Sequence, residues 1–471
     1  NAVRANPAKQ TRIMPARAVT VRQAAGVPRD VLQLLPGDGA VGAALTGDAR
    51  ICGVAFTGST TTALRIKSNM ADHCAPGTPL IAETGGLNAM IVDSTALPEH
   101  AVRDIVNGAF RSAGQRCSAL RCLYVQEDIA DKLLHMLYGA MSELHVGDPW
   151  HLSTDLGPVI DAAARNTIAD HIAEAKRDGR LLFEITAPTD GTFIAPSVIK
   201  VSGIADMTRE IFGPVLHVAT FRSHELDQVI ADINATGYGL TFGLHTRIDD
   251  RVQDIVEQID AGNIYVNRDQ IGAVVGSQPF GGEGLSGTGP KAGGPHYLPR
   301  FTAPMAADAV TEWSKSASTR GLHKALAVDM PAGSSPTDLP GPTGESNRHS
   351  NAPRGPILCL GPGQDATLAQ IAAVKSLGGV PVNPHGSVPP EAPVTLPHLG
   401  GVLWWGGGRG ARVRRIPPRS PRLFRRACTW WARPSVTWRT SRSARFAFYD
   451  RRTRCWRRTR GTPGVFWRGT G

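Results

Sequence analysis

The chain has 471 residues, a formal charge of +11 and seven cysteines. That length allows two or three domains and a large buried core. No run reaches the roughly 18 apolar residues of a membrane span. The first twenty residues hold no continuous apolar run, so no signal peptide is predicted. An odd set of cysteines without CxxC pairs argues against a disulfide framework and for reduced thiols in a cytosolic-type compartment. The positive charge is confined to one end. Residues 401–471 hold 19 Arg, no Lys and one acid, a net of +18, which leaves 11 − 18 = −7 on the first 400 residues. Whole-chain charge is therefore no ground for a nucleic-acid-binding body.

In chain order, residues 1–300 read as an α/β protein. "ICGVAF" and "PLIAETGG" predict buried strands, and "DIADKLLHMLYGAMSEL" and "ELDQVIADINAT" predict amphipathic helices. Strands alternating with helices imply parallel sheets, one pattern before about residue 86 and one after it. Residues 313–356, rich in Pro, Gly and Ser, predict a flexible linker. Residues 357–402 predict a single strand–turn–helix–strand unit, too small to bury a core alone. From residue 403 to 471 no structural period survives. Seven of the nine Trp lie there among the 19 Arg. Arg without Lys is what a frameshifted reading of GC-rich DNA gives. The rivals are plain disorder and a basic aromatic nucleic-acid-binding segment.

Four short stretches carry the chemistry. "SAGQRCS" sets Cys117 in a small, polar turn, where turn amides and a nearby cation favour a thiolate. The competing reading is a packed, inert thiol. Cys122, in the apolar run "LRCLYV", is assigned to the core. "LIAETGGLNAMIV" ends a strand on Glu83, which can act as a general base if burial raises its pKa, or can simply cap the following turn. "GVAFTGSTTTALRI" runs a strand through Gly58 and Ser59 into a helix start, suited to a phosphate. It is not GxGxxG. "REIFGPVLHVATF" puts Glu210 and Phe212 before a rigid turn, a pair that could hold a ribose and a planar ring or merely open a strand. No metal-ligand set stands out.

Together, "FTGST", "ETGG", "GQRCS" and "EIFGPV" resemble the aldehyde dehydrogenase superfamily in order and spacing. Glu83 precedes Cys117 by 34 residues and Glu210 follows it by 93. "NIYVNRDQIGAVVGSQPFGGEGLSGTGPKAGGPHYLPRF", residues 263–301, resembles the Δ1-pyrroline-5-carboxylate (glutamate-semialdehyde) dehydrogenase branch. The resemblance covers roughly residues 1–312. It implies an incomplete Rossmann-type NAD domain over 1–85, an α/β catalytic domain over 86–280 and a C-terminal return segment over 281–312.

It also implies roles. Cys117 is the nucleophile and Glu83 the base; the Cys117 backbone N–H donates to the oxyanion. Glu210 holds the nicotinamide ribose with Phe212 beside it, and Gly58 and Ser59 approach the pyrophosphate. Ser118 and the amides of Gly272 and Ala273 bind the substrate α-carboxylate, and Phe280 packs on the aliphatic chain. The implied reaction is NAD-dependent oxidation of L-glutamate γ-semialdehyde to L-glutamate in proline catabolism. The alternative is a non-catalytic module or inactive fragment of the same fold.

The sequence departs from the family at two cofactor positions. A lysine and a glutamate that contact the adenosine ribose are here Asn6 and Lys9, which predicts weaker NAD binding. Lys9 could instead tolerate a 2′-phosphate. The resemblance places the start of this chain inside the cofactor domain, with the family's oxyanion asparagine upstream of it, so the activity of the chain as given is in question. It implies homo-oligomerisation in the family, an FAD-dependent proline dehydrogenase domain as the partner in bifunctional members, and a cytoplasmic location, at the periphery of the inner membrane in full-length bacterial relatives.

Overall fold

The computed structural model describes residues 3–75, 78–302, 313–328, 336–351, 355–389, 392–396 and 399–404. The predicted frameshifted or disordered tail lies outside them, apart from its first two residues. No helix among the described residues is long and apolar enough to cross a membrane.

Before residue 86 the chain forms two separate parallel pairs. β1 (Val3–Ala5) pairs with β2 (Leu32–Leu34) across helix α1 (Ile13–Ala24). After α2 (Gly39–Thr46), β3 (Val54–Thr57) pairs with β4 (Leu80–Glu83) across α3 (Thr60–His73). The expected nucleotide-type sheet is thus divided, with ladder bonds running within each pair and not between them. Helix α1 is weakly packed. It buries none of its residues, and Ile13 and Met14 are 84% and 73% exposed.

After residue 86 one large sheet dominates. Its elements in chain order are β5 (Ala89–Val92), α4 (Pro98–Phe110), β6 (Cys122–Gln126), α5 (Glu127–Ser142), α6 (Ala162–Arg177), β7 (Leu181–Glu184), β8 (Ser197–Lys200), β9 (Val215–Phe221), α7 (Leu226–Ala235), β10 (Tyr238–Gly239), β11 (Thr241–His245), α8 (Asp249–Gln258) and β12 (Asn263–Val266). Seven strands lie in the order β12-β11-β5-β6-β9-β8-β7, all parallel except β7. The two-residue β10 pairs outside this sheet with β13 (Glu283–Gly284).

Both faces of the sheet are covered, which is why β5 and β6 read as unbroken apolar runs rather than alternating ones. Met90, Val92, Leu123, Val125 and Val218 pack against Ile105 and Phe110 of α4 and Leu133, Leu137 and Met141 of α5. Their neighbours Ala89, Ile91, Cys122, Tyr124 and Ala219 face Val229, Ile230 and Ile233 of α7 and Ile255 of α8. Helix α5 forms where its apolar spacing predicts. Glu127 and Asp128 occupy its first turn, where they complement the helix dipole.

Beyond α9 (Pro299–Thr302), the region expected to be a flexible linker contains a helix and a hairpin, α10 (Thr319–Leu326) and β14 (Thr337–Leu339) with β15 (Asn347–His349). The physical reason lies in the next unit. β16 (Ile357–Cys359), α11 (Gly363–Ser376), β17 (Pro381–Val382) and β18 (Gly401–Leu403) form a three-stranded sheet in the order β17-β16-β18. Leu322 and Leu326 of α10 are buried against Leu358, Val382, Leu396 and Leu399. The supposed linker thus supplies the cover that this small sheet needs.

Candidate active site

The site forms where the carboxyl ends of β3 and β4 meet the starting ends of β5, β6 and β9. Glu83 closes β4. The turns carrying Cys117 and Glu210 lead into β6 and β9.

The Cys117 turn has an unusual backbone. Ser112, Ala113 and Gly114 have φ of 58°, 52° and 65°, a left-handed run that costs energy for the two non-glycine residues. A Cβ on Gly114 would lie 2.1 Å from the Gly213 carbonyl oxygen, so only glycine fits. Asn88 anchors the far side of the turn. Its Nδ2 donates to the carbonyls of Cys117 (2.7 Å) and Ala119 (2.9 Å), and its Oδ1 accepts the Thr241 N–H (3.2 Å). The side chain is buried, and all these bonds are made away from water. The sequence reading passed over Asn88. Its signal was a polar residue inside "GGLNAMIV".

The two cysteines of this region have different fates. Cys117 is only partly buried. Burial raises its thiol pKa, and the Glu210 and Glu83 carboxylates add to that, while the N–H groups of Ser118 and Cys117 favour the thiolate. Cys122 is fully buried in β6, and burial drives its thiol far above the usual range. It is a packing residue, as expected.

Glu83 sits under the glycine-rich loop 281–287. Its Oε2 accepts the Gly282 N–H at 2.8 Å. Thr84 ties the loop down, its N–H donating to Ser286 O (2.9 Å) and its hydroxyl to Leu285 O (2.6 Å). Glu83 Oε1 is buried without a hydrogen-bond partner among the described residues. Burial pushes the carboxyl up to about 7, opposed by the Gly282 N–H and by the ammonium of Lys291. Lys291 is a second residue that the sequence reading missed. Its Nζ donates to the Gly262 carbonyl. A Cβ built on Gly281 would touch both Glu83 Oε1 and Lys291 Cγ at 3.2 Å, so both side chains border this one glycine.

Glu210 lies across the turn that follows Glu83. A Cβ on Gly85 would be 1.8 Å from Glu210 Oε2, so the first glycine of "ETGG" lets that carboxylate lie against the backbone. Its Oε1 accepts from Arg121 Nη2 at 3.1 Å and Nε at 3.3 Å. Burial raises the carboxyl pKa, countered by Arg121 and the Gly86 N–H. Arg121 has a side-chain exposure of 0%, and its guanidinium carbon lies 5.1 Å from the centre of the half-exposed Phe212 ring. This cation was also missed. Its signal was an arginine inside the apolar run "LRCLYV".

The remaining predicted residues have the following local partners. Gly58 donates its N–H to Glu83 O at 3.1 Å, and Ser59 caps α3, its Oγ accepting from Thr62 N–H at 3.2 Å. Both are exposed. Ser118 is buried, and its carbonyl accepts from Thr241 Oγ1 (3.1 Å) and, at 3.5 Å, from Gln270 Nε2. Gln270 leads directly into the loop bearing Gly272 and Ala273, whose amides make no hydrogen bond among the described residues. Phe280 exchanges backbone bonds with Ala292 (3.0 and 2.8 Å). Asn6 donates from Nδ2 to Leu35 O at 2.8 Å. The Lys9 side chain is outside the described residues.

A family model, described as the aldehyde dehydrogenase family, matches residues 1–306, and the chain belongs to that family. Within it, the chain is similar to the bifunctional protein PutA of Klebsiella aerogenes, at 46% identity over 418 residues, 80% of this chain and 32% of that protein. It is likewise similar to a crystal structure of Bradyrhizobium japonicum proline utilization A, at 53% identity and a TM-score of 0.62, covering 64% of this chain and 31% of that one. A 1-pyrroline-5-carboxylate dehydrogenase from Thermus, solved with bound NAD, is 35% identical with a TM-score of 0.60, covering 64% of this chain and 59% of that one. The chain therefore spans about a third of the length of the bifunctional relatives it matches.

Proposed function

We propose that this chain oxidises L-glutamate γ-semialdehyde to L-glutamate with NAD, within proline breakdown. The observation that carries the reading is the joint placement of a partly accessible thiol, Cys117, and a partly buried carboxylate, Glu83, whose pKa is raised to about 7. The names of the relatives narrow the substrate, and the Thermus neighbour supports NAD.

The residues present fit a dinucleotide. α3 is a 14-residue helix whose start is exposed, and its first N–H groups lack intrahelical partners, as in any helix. Gly58 and Ser59 stand at that start, and Glu210 and Phe212 lie across the site from it. When bound, NAD supplies the hydride acceptor. The protein's own part is as follows. The Cys117 thiolate adds to the aldehyde carbon, and the N–H groups that face its sulfur stabilise charge there. Once the carbon is oxidised and held as a thioester on Sγ, Glu83 takes a proton from water. The water oxygen adds to the carbonyl carbon, the C–S bond breaks and the thiolate is restored. A carboxylate with a pKa near 7 suits that proton transfer at neutral pH. The amides of Gly272 and Ala273, without hydrogen bonds among the described residues, suit an α-carboxylate. In the longer relatives, the FAD-dependent oxidation of proline would lie outside this stretch.

The test is NADH formation by the chain from glutamate semialdehyde, from an unsubstituted aliphatic aldehyde, and by Cys117→Ala. Expected are a clear preference for the semialdehyde and no turnover by the variant. Equal use of both aldehydes would defeat the substrate assignment. Activity surviving in Cys117→Ala would defeat the nucleophile.

A further inference from the structure

Arg121 has no role in the reading above, yet no cation in the site is more enclosed. Its side chain is wholly buried, and a guanidinium out of water needs its donors satisfied. Here they are. Nη1 donates to Gly213 O at 3.1 Å, Nη2 to Arg116 O at 3.1 Å, and Nε and Nη2 to Glu210 Oε1 at 3.3 and 3.1 Å. Arg116 is the residue immediately before Cys117, and Gly213 is the one that closes the Glu210 turn. A single planar group thus joins the nucleophile turn to the cofactor-side turn, which a point-charge lysine could not do with the same set of acceptors.

The geometry points to Arg121 as a positioning residue. It holds Glu210 over the Gly85–Gly86 turn and offsets the charge that Glu210 would otherwise set against the Cys117 thiolate. Two further observations support this. Glu210 is the largest charged influence disfavouring the thiolate. The Cys117 charge in turn favours the charged guanidinium, and such coupling is reciprocal.

The other groups facing this cluster are Glu83, His217 and His171. His217 Nδ1 lies 3.1 Å from Arg121 O, and its Nε2 lies 2.9 Å from His171 Nε2. Burial drives His217 down to about 4 and lowers His171 as well. The pair is therefore neutral where the thiol titrates. Arg116 extends outward, its Nε donating to Ser112 Oγ at 3.0 Å.

The inference rests on the proposed function only in taking Cys117 as the reactive thiol, and its test needs neither substrate nor cofactor. The pH dependence of Cys117 alkylation by iodoacetamide, located by mass spectrometry, is measured in the full chain. Wild type is compared with Arg121→Met, Arg121→Lys, Glu210→Gln and the Arg121→Met/Glu210→Gln double variant. Arg121→Met should slow alkylation about tenfold at fixed pH below the thiol's midpoint, the equivalent of one pKa unit. Glu210→Gln should speed it, and the double variant should return towards wild type. Arg121→Lys, which keeps the charge but not the planar fork, should fall between wild type and Arg121→Met. Superimposable wild-type and Arg121→Met profiles would overturn the inference, and so would a slowed Arg121→Met that Glu210→Gln fails to rescue. Should Arg121→Met not fold, Glu210→Gln alone decides: a profile no faster than wild type rejects the charge coupling. Loss of semialdehyde oxidation with these shifts intact would reject the proposed function and leave this inference standing.

Discussion

Glu83 and Gly282, 199 positions apart, are joined by one hydrogen bond of 2.8 Å, from the Gly282 N–H to Oε2. Oε1 of the same carboxylate is buried without a partner among the described residues. A carboxylate held by a single donor and otherwise desolvated is poised to bind a proton, and its pKa stands at about 7.

If Glu83 activates the hydrolytic water, turnover rises with pH through about 7 as the carboxylate ionises. Glu83→Gln should lower steady-state turnover by about 10²–10⁴-fold and retain a burst of NADH stoichiometric with enzyme. Rapid-mixing kinetics separates the two, and loss of the burst together with turnover would contradict a role confined to hydrolysis.

The same pKa predicts a stability change of definite sign. The folded value of about 7 exceeds the ordinary 4.5, so the folded state binds more protons than the unfolded one between these values. Stability contributed by Glu83 is therefore lost as pH rises from about 4.5 to about 7. Glu83→Gln removes this loss and should be more stable than wild type at pH 8 by on the order of 1–3 kcal/mol, with little difference near pH 4. Urea melts at the two pH values check it.

Lys291 lowers the Glu83 pKa across Gly281. Lys291→Gln should move the rising limb of the pH–turnover profile to higher pH and leave the burst amplitude unchanged. An unshifted limb would show that the ammonium is too well screened to act on the base.

Asn88 is the rivet of the Cys117 turn. Asn88→Ala leaves the carbonyls of Cys117 and Ala119 and the Thr241 N–H without their side-chain partner. The expected cost is about 2–4 kcal/mol of unfolding free energy, measurable by chemical denaturation, together with loss of selective alkylation at Cys117.

The α/β character of residues 86–266 and the β6 strand were legible in the sequence because burial on both faces of a parallel sheet leaves continuous apolar runs. Helices such as α5 and α7 leave a periodic stripe for the same reason. The helix and hairpin within residues 313–356 were not legible. Pro, Gly and Ser content describes local freedom, whereas Leu322 and Leu326 are ordered by contacts with a sheet that follows them in the chain.

The candidate site divides in a similar way. Cys117, Glu83, Glu210, Phe212, Gly58 and Ser59 could be picked out from short motifs taken together, because each sits in or beside a turn whose glycines and neighbours are set locally. Read alone, Cys117 leaned towards packing, and it was the company of the other motifs that reversed the reading. Arg121, Lys291 and Asn88 carry no such local mark. Arg121 stands in an apolar run, and it is the approach of the Glu210 turn, 89 positions away, that makes it the partner of a carboxylate. Residue types and turns are local properties that the amino-acid sequence determined by itself. Desolvation and charge pairing depend on which distant segments close over a side chain, and only the tertiary structure decided those.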